Sequence, residues 1–158
     1  MIRPPTVAPF LWFTSEALAA AEFYVSLFPD SGIEDVEMQD GKPFIVSFRL
    51  SGIPYTALNG GPYQALTPAF SLAVTCDGQA EVDRLWAALT EGGQESRCGW
   101  LTDRFGVSWQ VVPQQFFDLR KSGTPAQSQA VMAAMMEMIR FDVAALESAF
   151  DSAAPPAH

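Results

Sequence analysis

Side chains suited to nucleophilic or metal chemistry are scarce in this sequence. Histidine occurs once, as His158, the last residue, and the two cysteines are Cys76 and Cys98. Two cysteines are too few for a disulfide framework, their spacing matches no zinc motif, and we expect both to be reduced. A nucleophilic thiol also needs a neighbouring base or positive field. The sequence therefore predicts no histidine-based triad, no histidine-rich metal site and no cysteine catalysis.

The acidic residues give no catalytic pair either. Glu34, Asp35, Glu37 and Asp40 cluster within one predicted strand and its turn, where they are typical of the solvent side of an exposed strand. The chain of 158 residues has 18 Asp and Glu against nine Lys and Arg, a net charge of -9. This charge repels nucleic acid and anionic membrane surfaces, so we expect neither as a partner.

Length and composition favour one domain, 1–158, because 49% of the residues are hydrophobic and can form a sizeable core. No apolar run approaches 18 residues, and the first five residues do not lead into a signal-like segment. We therefore expect a cytoplasmic protein.

Hydrophobic periodicity predicts the same order of elements twice, followed by helices. The first module, about 7–60, has a strand at 7–13, a helix to Phe28 capped by Thr14 or Ser15, and three strands. The second module, about 69–113, repeats the order, with Val82, Leu85, Trp86 and Leu89 forming the buried stripe of its helix. In the extension, about 114–150, the sequence pattern predicts helices at 116–121, 125–139 and 142–150.

Several local strings resemble one protein family. They are PFLWF at 9–13, EFYVSLFP at 22–29, TALNGGP at 56–62, EVDRLW at 81–86 and CGWLTDRFGVSWQVVP at 98–113. Together they resemble the PhnB-like branch, often labelled demethylubiquinone methyltransferase, of the vicinal oxygen chelate superfamily. That superfamily includes glyoxalase I and the bleomycin-resistance proteins. The resemblance extends over nearly the whole chain and implies an α+β fold of two βαβββ modules forming a half-open barrel, with a C-terminal helical extension.

The methyltransferase label is not supported by the sequence. An adenosyl methyl donor usually lies at a glycine-rich turn after the first strand of an open parallel sheet. Here Thr14, Ser15 and Glu16 follow the first predicted strand. We therefore expect no methyl transfer.

The metal ligands of the superfamily also have no match here. Pro9, Ala69 and Gln110 occupy the positions that the resemblance assigns to His or Glu ligands, and Tyr63 stands where many PhnB-like sequences have His. Proline and alanine have no donor side chain. We therefore expect no metal and no other cofactor.

The implied barrel would be lined by aromatic and amide side chains. The candidate ligand-binding residues are Phe10, Trp12, Tyr55, Asn59, Tyr63, Phe70, Trp100, Trp109 and Gln110. Such a lining binds a flat or apolar small molecule by burial and stacking. The leading hypothesis is thus a metal-independent small-molecule-binding protein that forms a homodimer, as members of the superfamily commonly do.

Two alternatives remain open. The chain could be an isomerase, lyase or oxygenase of the glyoxalase type, with a divalent metal held by Gln110, Tyr63 or a Glu. It could instead be a dimeric interaction module in which the extension, 113–150, holds a second subunit and the barrel is only core. Asn59 has its own alternative, because Asn before Gly-Gly is ordinary turn chemistry.

Overall fold

The computed structural model describes residues 4–157, and the chain divides between Leu66 and Thr67 into two compact units. The first unit contains β1 (Phe10–Phe13), α1 (Ala17–Leu27), β2 (Gly32–Gln39), β3 (Lys42–Leu50) and β4 (Ile53–Asn59). The second contains β5 (Ser71–Cys76), α2 (Gln79–Thr90), β6 (Gln94–Glu95), β7 (Trp100–Thr102), β8 (Ser108–Pro113), α3 (Gln114–Ser122), α4 (Pro125–Met136) and α5 (Val143–Ser152). The predicted α+β fold of two βαβββ modules followed by helices is confirmed. The single domain and the half-open barrel stay predictions.

Each unit contains a four-stranded mixed sheet with the same topology. The strand order is β1-β4-β3-β2 in the first sheet and β5-β8-β7-β6 in the second. The first and last strands of each module pair in parallel, and the other neighbours pair antiparallel. A parallel pair needs a long crossover connection, which in each unit includes the helix. The helix therefore packs on one face of its own sheet.

The core of the first unit lies between α1 and its sheet. Leu11, Phe13, Val46, Phe48 and Ala57 are buried, and they occupy alternating positions on three adjacent strands. The buried residues of α1 are mostly small, namely Ala17, Ala20, Ala21 and the larger Tyr24. Alanines at three- and four-residue spacing let the helix backbone approach the sheet closely.

The N-terminus of α1 is capped differently from the prediction. Neither Thr14 nor Ser15 caps the helix, which begins at Ala17. Instead the side chain Oδ1 of Asn59, at the end of β4, accepts a hydrogen bond from the backbone N–H of Ala17 at 2.8 Å. A residue 42 positions away in sequence thus satisfies a donor that a local cap usually satisfies.

In the second unit α2 buries Val82, Leu85, Trp86 and Leu89, which confirms the predicted stripe. The turn before β8 is held by the buried carboxylate of Asp103. Its Oδ1 accepts from the backbone N–H groups of Phe105 and Val107 at 2.9 and 3.0 Å. Gly106 supplies the positive φ of 89° that this turn requires.

The three C-terminal helices lie where the sequence predicts them, with ends that differ by up to three residues. Thr124 caps α4 in a capping box with Gln127, and Pro125 is its first residue, as predicted. The helix ends at Met136, however, and not at Ile139. The carbonyls of Met138 and Ile139 accept hydrogen bonds at 2.8 and 2.7 Å from the backbone of the turn before β7. No described helix is long and apolar enough to cross a membrane.

A single glutamine on α2 joins the C-terminal segment to the rest of the second unit. The amide nitrogen of Gln79 donates to the carbonyl of Phe141 at 2.9 Å, and its amide oxygen accepts from the N–H of Val143 at 2.8 Å. The two bonds hold the chain where it enters α5. The ring of Phe141 packs beside them, against Gly99.

We expect Gln79→Ala to lower the free energy of unfolding by about 1–3 kcal/mol, because it leaves a partly buried carbonyl and N–H without partners. Urea denaturation followed by circular dichroism measures the change. Gln114→Ala is the matched control, since that side chain makes one exposed bond, to Asp118, and its loss should cost less than about 0.5 kcal/mol. An equal decrease in the free energy of unfolding in the two variants would contradict the role given to Gln79.

Candidate functional site

Side-chain alternation divides each sheet into a helix-covered face and an opposite one, called here the distal face. In the first sheet, strand register places the charged Asp35, Glu37 and Arg49 on the distal face. Beside them lie the uncharged side chains of Phe10, Trp12, Ile45, Ser47, Thr56 and Leu58. Phe10 is exposed and the other five are half-buried. This surface therefore offers two aromatic rings beside aliphatic and hydroxyl groups.

The ring of Trp12 is held in place by the turn after β4. Its indole Nε1 donates a hydrogen bond to the carbonyl of Gly61 at 2.9 Å. A Cβ atom on Gly60 would lie within the van der Waals radii of the indole carbons, so only glycine fits beneath the ring. The Gly-Gly pair therefore positions an aromatic side chain as well as forming a turn.

In the second sheet the distal face carries no charged side chain. Its members are Ser71, Ala73, Thr75, Gln94, Trp100, Thr102, Ser108, Gln110 and Val112. Gln110 lies opposite Trp100 in the register, and its amide nitrogen donates to the hydroxyl of Ser71 at 2.9 Å. A depression of about 330 Å³ adjoins Trp100, with Pro68 and the hydroxyl residues Ser96, Thr102 and Ser108 in its lining.

The structure places the other predicted residues elsewhere. Tyr55, Asn59 and Trp109 project from the helix-covered faces, and Tyr63 and Phe70 lie in loops, where they are 80% and 53% exposed. Of the nine candidates, Phe10 and Trp12 share the distal face of the first sheet, and Trp100 and Gln110 share that of the second. Ligand binding by any of the nine stays a prediction.

The three candidates on helix-covered faces have partners within their own units. Tyr55 stacks on Phe48 with ring centroids 5.4 Å apart, and burial raises the pKa of the Tyr55 hydroxyl. Trp109 is 2% exposed, and its indole N–H donates to Oδ2 of Asp103 at 2.9 Å. Besides capping α1, Asn59 donates from Nδ2 to the carbonyl of Pro43 at 2.9 Å. These contacts give all three a structural role.

Sequence reasoning missed several members of the distal faces. Ile45, Leu58, Ser71 and Thr102 were not among the candidates, although each shares a face with one of them. The signal that could have found them is the alternation of each strand, continued from Trp12 and from Gln110 across the register. The positioning role of Gly60 had no local signal, because it depends on β1 lying beside β4.

The fold places the chain in a class of solved structures that share its architecture. Within this class the chain belongs to the 3-demethylubiquinone-9 3-methyltransferase family, whose sequence model matches residues 5–112. A PhnB protein from Bacillus cereus given that same methyltransferase name is 30% identical, with a TM-score of 0.65. The alignment covers 69% of this chain and 99% of that one.

Two further solved structures show the same fold. One is a protein from Pseudomonas aeruginosa, 24% identical, with a TM-score of 0.59 over 70% of this chain and 98% of that one. The other is the fosfomycin resistance protein FosX from Listeria monocytogenes, 11% identical, with a TM-score of 0.50 over 71% of this chain and 94% of that one. No functionally curated protein matches the chain.

The family match also corrects the expected extent of the resemblance. The resemblance was expected over nearly the whole chain, including the helical extension, but the match stops at residue 112, within β8. Helices α3, α4 and α5 lie beyond the matched segment.

One structure of the Listeria protein is a complex with Mn(II) and sulfate. In this chain, the three positions that the resemblance assigns to metal ligands do not fit a divalent ion. Pro9 and Ala69 have no donor side chain, and the amide nitrogen of Gln110 donates to Ser71. Within residues 4–157 no three His, Cys, Asp or Glu side chains cluster closely enough to hold a metal. His158 lies outside the described residues. The absence of a metal stays a prediction.

Replacing Asn59 separates its structural role from ligand binding. We expect Asn59→Ala to lower the free energy of unfolding by about 1–3 kcal/mol, because the N–H of Ala17 and the carbonyl of Pro43 both lose a partner. Thermal and urea unfolding measure the effect. Gln39→Ala, an exposed amide in the same groove, is the control and should change stability by less than about 0.5 kcal/mol. An unchanged stability of Asn59→Ala would contradict the capping role.

The contact beneath Trp12 gives a second prediction. Gly60→Ala should displace the indole, break its bond to Gly61 and destabilise the protein by about 1–3 kcal/mol. Near-ultraviolet circular dichroism and tryptophan emission report the displacement. Gly32→Ala is the matched control, because nothing lies within 4 Å of its added methyl group. A Gly60→Ala spectrum identical to that of the control would show that the ring does not depend on this glycine.

Proposed function

We propose that this protein binds a small, uncharged, planar molecule without a metal, and that Trp100 and Gln110 on the distal face of the second sheet are its main contacts. The observation that carries the proposal is the absence of charge from the nine side chains of that face, in a chain with a net charge of -9. Acidic side chains elsewhere maintain solubility, and this one surface is left apolar and hydroxyl-rich.

The chemistry of the face fits a neutral aromatic ligand such as a quinone or a phenol. Trp100 offers an apolar ring on which a flat molecule can stack, and aromatic contacts of this kind are worth about 0.5–1.5 kcal/mol beyond their buried area. Gln110 beside it supplies an amide, and Thr102 and Ser108 supply hydroxyl groups that can donate or accept. These few polar groups would fix the orientation of the ligand.

Charge also favours this depression over the larger grooves. A groove of about 720 Å³ beside α2 includes the acidic residues Asp83, Glu95, Glu137 and Asp142 in its lining. Another, of about 620 Å³ in the first unit, contains Asp40 and Lys42. An apolar ligand entering either groove would desolvate charged groups without pairing them, which costs free energy. The smaller, uncharged depression avoids that cost.

Methyl transfer is not part of the proposal, despite the name of the family. The first sheet is mixed, and the turn after β1 is built from Thr14, Ser15 and Glu16. The first unit therefore lacks both the open parallel sheet and the glycine-rich turn on which an adenosyl methyl donor usually lies. The homodimer and the cytoplasmic location stay predictions.

Screening tests the proposal directly. The full-length protein is titrated with a set of quinones and phenols, and with carboxylated analogues of each, while tryptophan fluorescence and thermal stability are followed. We expect an uncharged member to bind and its carboxylated analogue to bind at least about tenfold more weakly. Trp100→Ala should weaken binding about tenfold or more, whereas Trp100→Phe should retain most of it.

Two controls locate and define the site. Trp12→Ala removes the corresponding ring of the first sheet and should leave the affinity unchanged. Chelation with EDTA or addition of Mn²⁺ should also leave it unchanged. Binding that requires a divalent ion would favour the metal-dependent alternative, and failure of every uncharged compound to bind would overturn the proposal.

A further inference from the structure

Two sulfur atoms from distant parts of the second unit lie close together. The Sγ of Cys98 is 4.0 Å from the Sδ of Met136, 38 positions later in the chain. Cys98 is a free cysteine in the turn before β7, and Met136 is the last residue of α4. Met136 is 54% exposed and Cys98 is partly exposed, so a solute can reach both sulfur atoms.

Backbone hydrogen bonds hold the two sulfur-bearing segments together. The N–H of Cys98 donates to the carbonyl of Met138 at 2.8 Å, and the N–H of Gly99 donates to the carbonyl of Ile139 at 2.7 Å. The chain that follows α4 is therefore bound along the turn that carries the thiol. The sulfur pair therefore lies directly beside two main-chain hydrogen bonds.

A third sulfur follows from helix geometry. Met132 lies four residues before Met136 in α4, and side chains at this spacing lie on the same side of a helix. Met132 is partly exposed. Met132 therefore lies on the same side of α4 as Met136, one helical turn from the sulfur pair.

We propose that Cys98, Met136 and Met132 form a binding site for a soft monovalent metal ion such as Cu(I). Thiolate and thioether sulfur are the ligands that select this ion over harder cations. With metal–sulfur bonds of about 2.3 Å, two donors 4.0 Å apart subtend an angle of about 120° at the metal. That angle is the one a three-coordinate trigonal site requires, and Met132 supplies the third donor.

The electrostatic surroundings also favour a cation. The sulfur pair lies at the C-terminus of α4, where the helix dipole is negative, and Glu137 follows Met136 directly. As the bond between the metal and Cys98 forms, the thiol proton is released to solvent. The ion keeps its oxidation state, so binding needs no oxidant or reductant. The site is independent of the proposed ligand surface.

The other cysteine serves as an internal control. Cys76 is 1% exposed, and burial, together with the nearby carboxylate of Glu81, raises the pKa of its thiol to about 12. It therefore stays protonated and out of contact with solvent near neutral pH. Metal binding by this chain should depend on Cys98 alone among its thiols.

Anaerobic titration of the full-length protein with Cu(I), in competition with a chromogenic Cu(I) chelator, tests the proposal. We expect one ion per chain, bound through three sulfur atoms in X-ray absorption spectra. Cys98→Ser should abolish competition with the chelator, and Met136→Leu and Met132→Leu should each weaken binding about tenfold or more. Leucine keeps the volume of methionine, so these variants should remain folded.

Met38→Leu and Cys76→Ser are the controls. Met38 is an equally exposed methionine in the first unit, and both variants should bind Cu(I) as the parent chain does. Circular dichroism confirms that each variant is folded before its affinity is compared. Binding that is unchanged in both Met136→Leu and Met132→Leu would reduce the site to capture by a single thiol and overturn the proposal.

Discussion

The parallel pairing of the first and last strands in each module is the constraint on which the rest of the structure depends. β1 pairs with β4 and β5 with β8, and neither pair can be joined by a hairpin. The connection includes a helix, and that helix covers one face of its sheet with apolar side chains. Alternation then assigns every second residue to the core and leaves the others on the distal face, where ligand contacts are possible.

Long-range polar contacts determine which candidate residues remain for function. Asn59 caps α1 and holds the carbonyl of Pro43, and Trp109 is bound by the buried Asp103. Such residues have the chemistry of a binding site, but their hydrogen-bonding groups are engaged within the protein. When these engaged residues are set aside, the uncharged distal face of the second sheet remains as the candidate binding surface. Its distinguishing property is the absence of charge, which a search for reactive residues does not detect.

The helical extension adds contacts beyond the part of the chain that the family match covers. The relative from Bacillus cereus aligns along 99% of its own length with only 69% of this chain. In the second unit the extension is joined to α2 through Gln79 and to the turn before β7 through two backbone bonds. These same bonds place Met136 against Cys98, so the sulfur pair depends on the extension.

The sequence by itself determined the elements whose signals are local. The stripe of α2 and the start of α4 at Pro125 each depend on residues within one or two turns of chain, and both were predicted correctly. The repeated βαβββ order followed from such signals. The family was identified in the same way, from short strings of neighbouring residues.

The tertiary structure alone decided which candidate side chains share a surface. Strand register sets the face of every residue, and a shift of one position reverses it, so composition could not separate Trp100 and Gln110 from Trp109. The cap of α1 comes from 42 positions away and the sulfur pair spans 38. Even the end of α4 was set by carbonyl groups that bond to the turn before β7. Contacts of this range leave no pattern in neighbouring residues, because they form only when separate elements pack together.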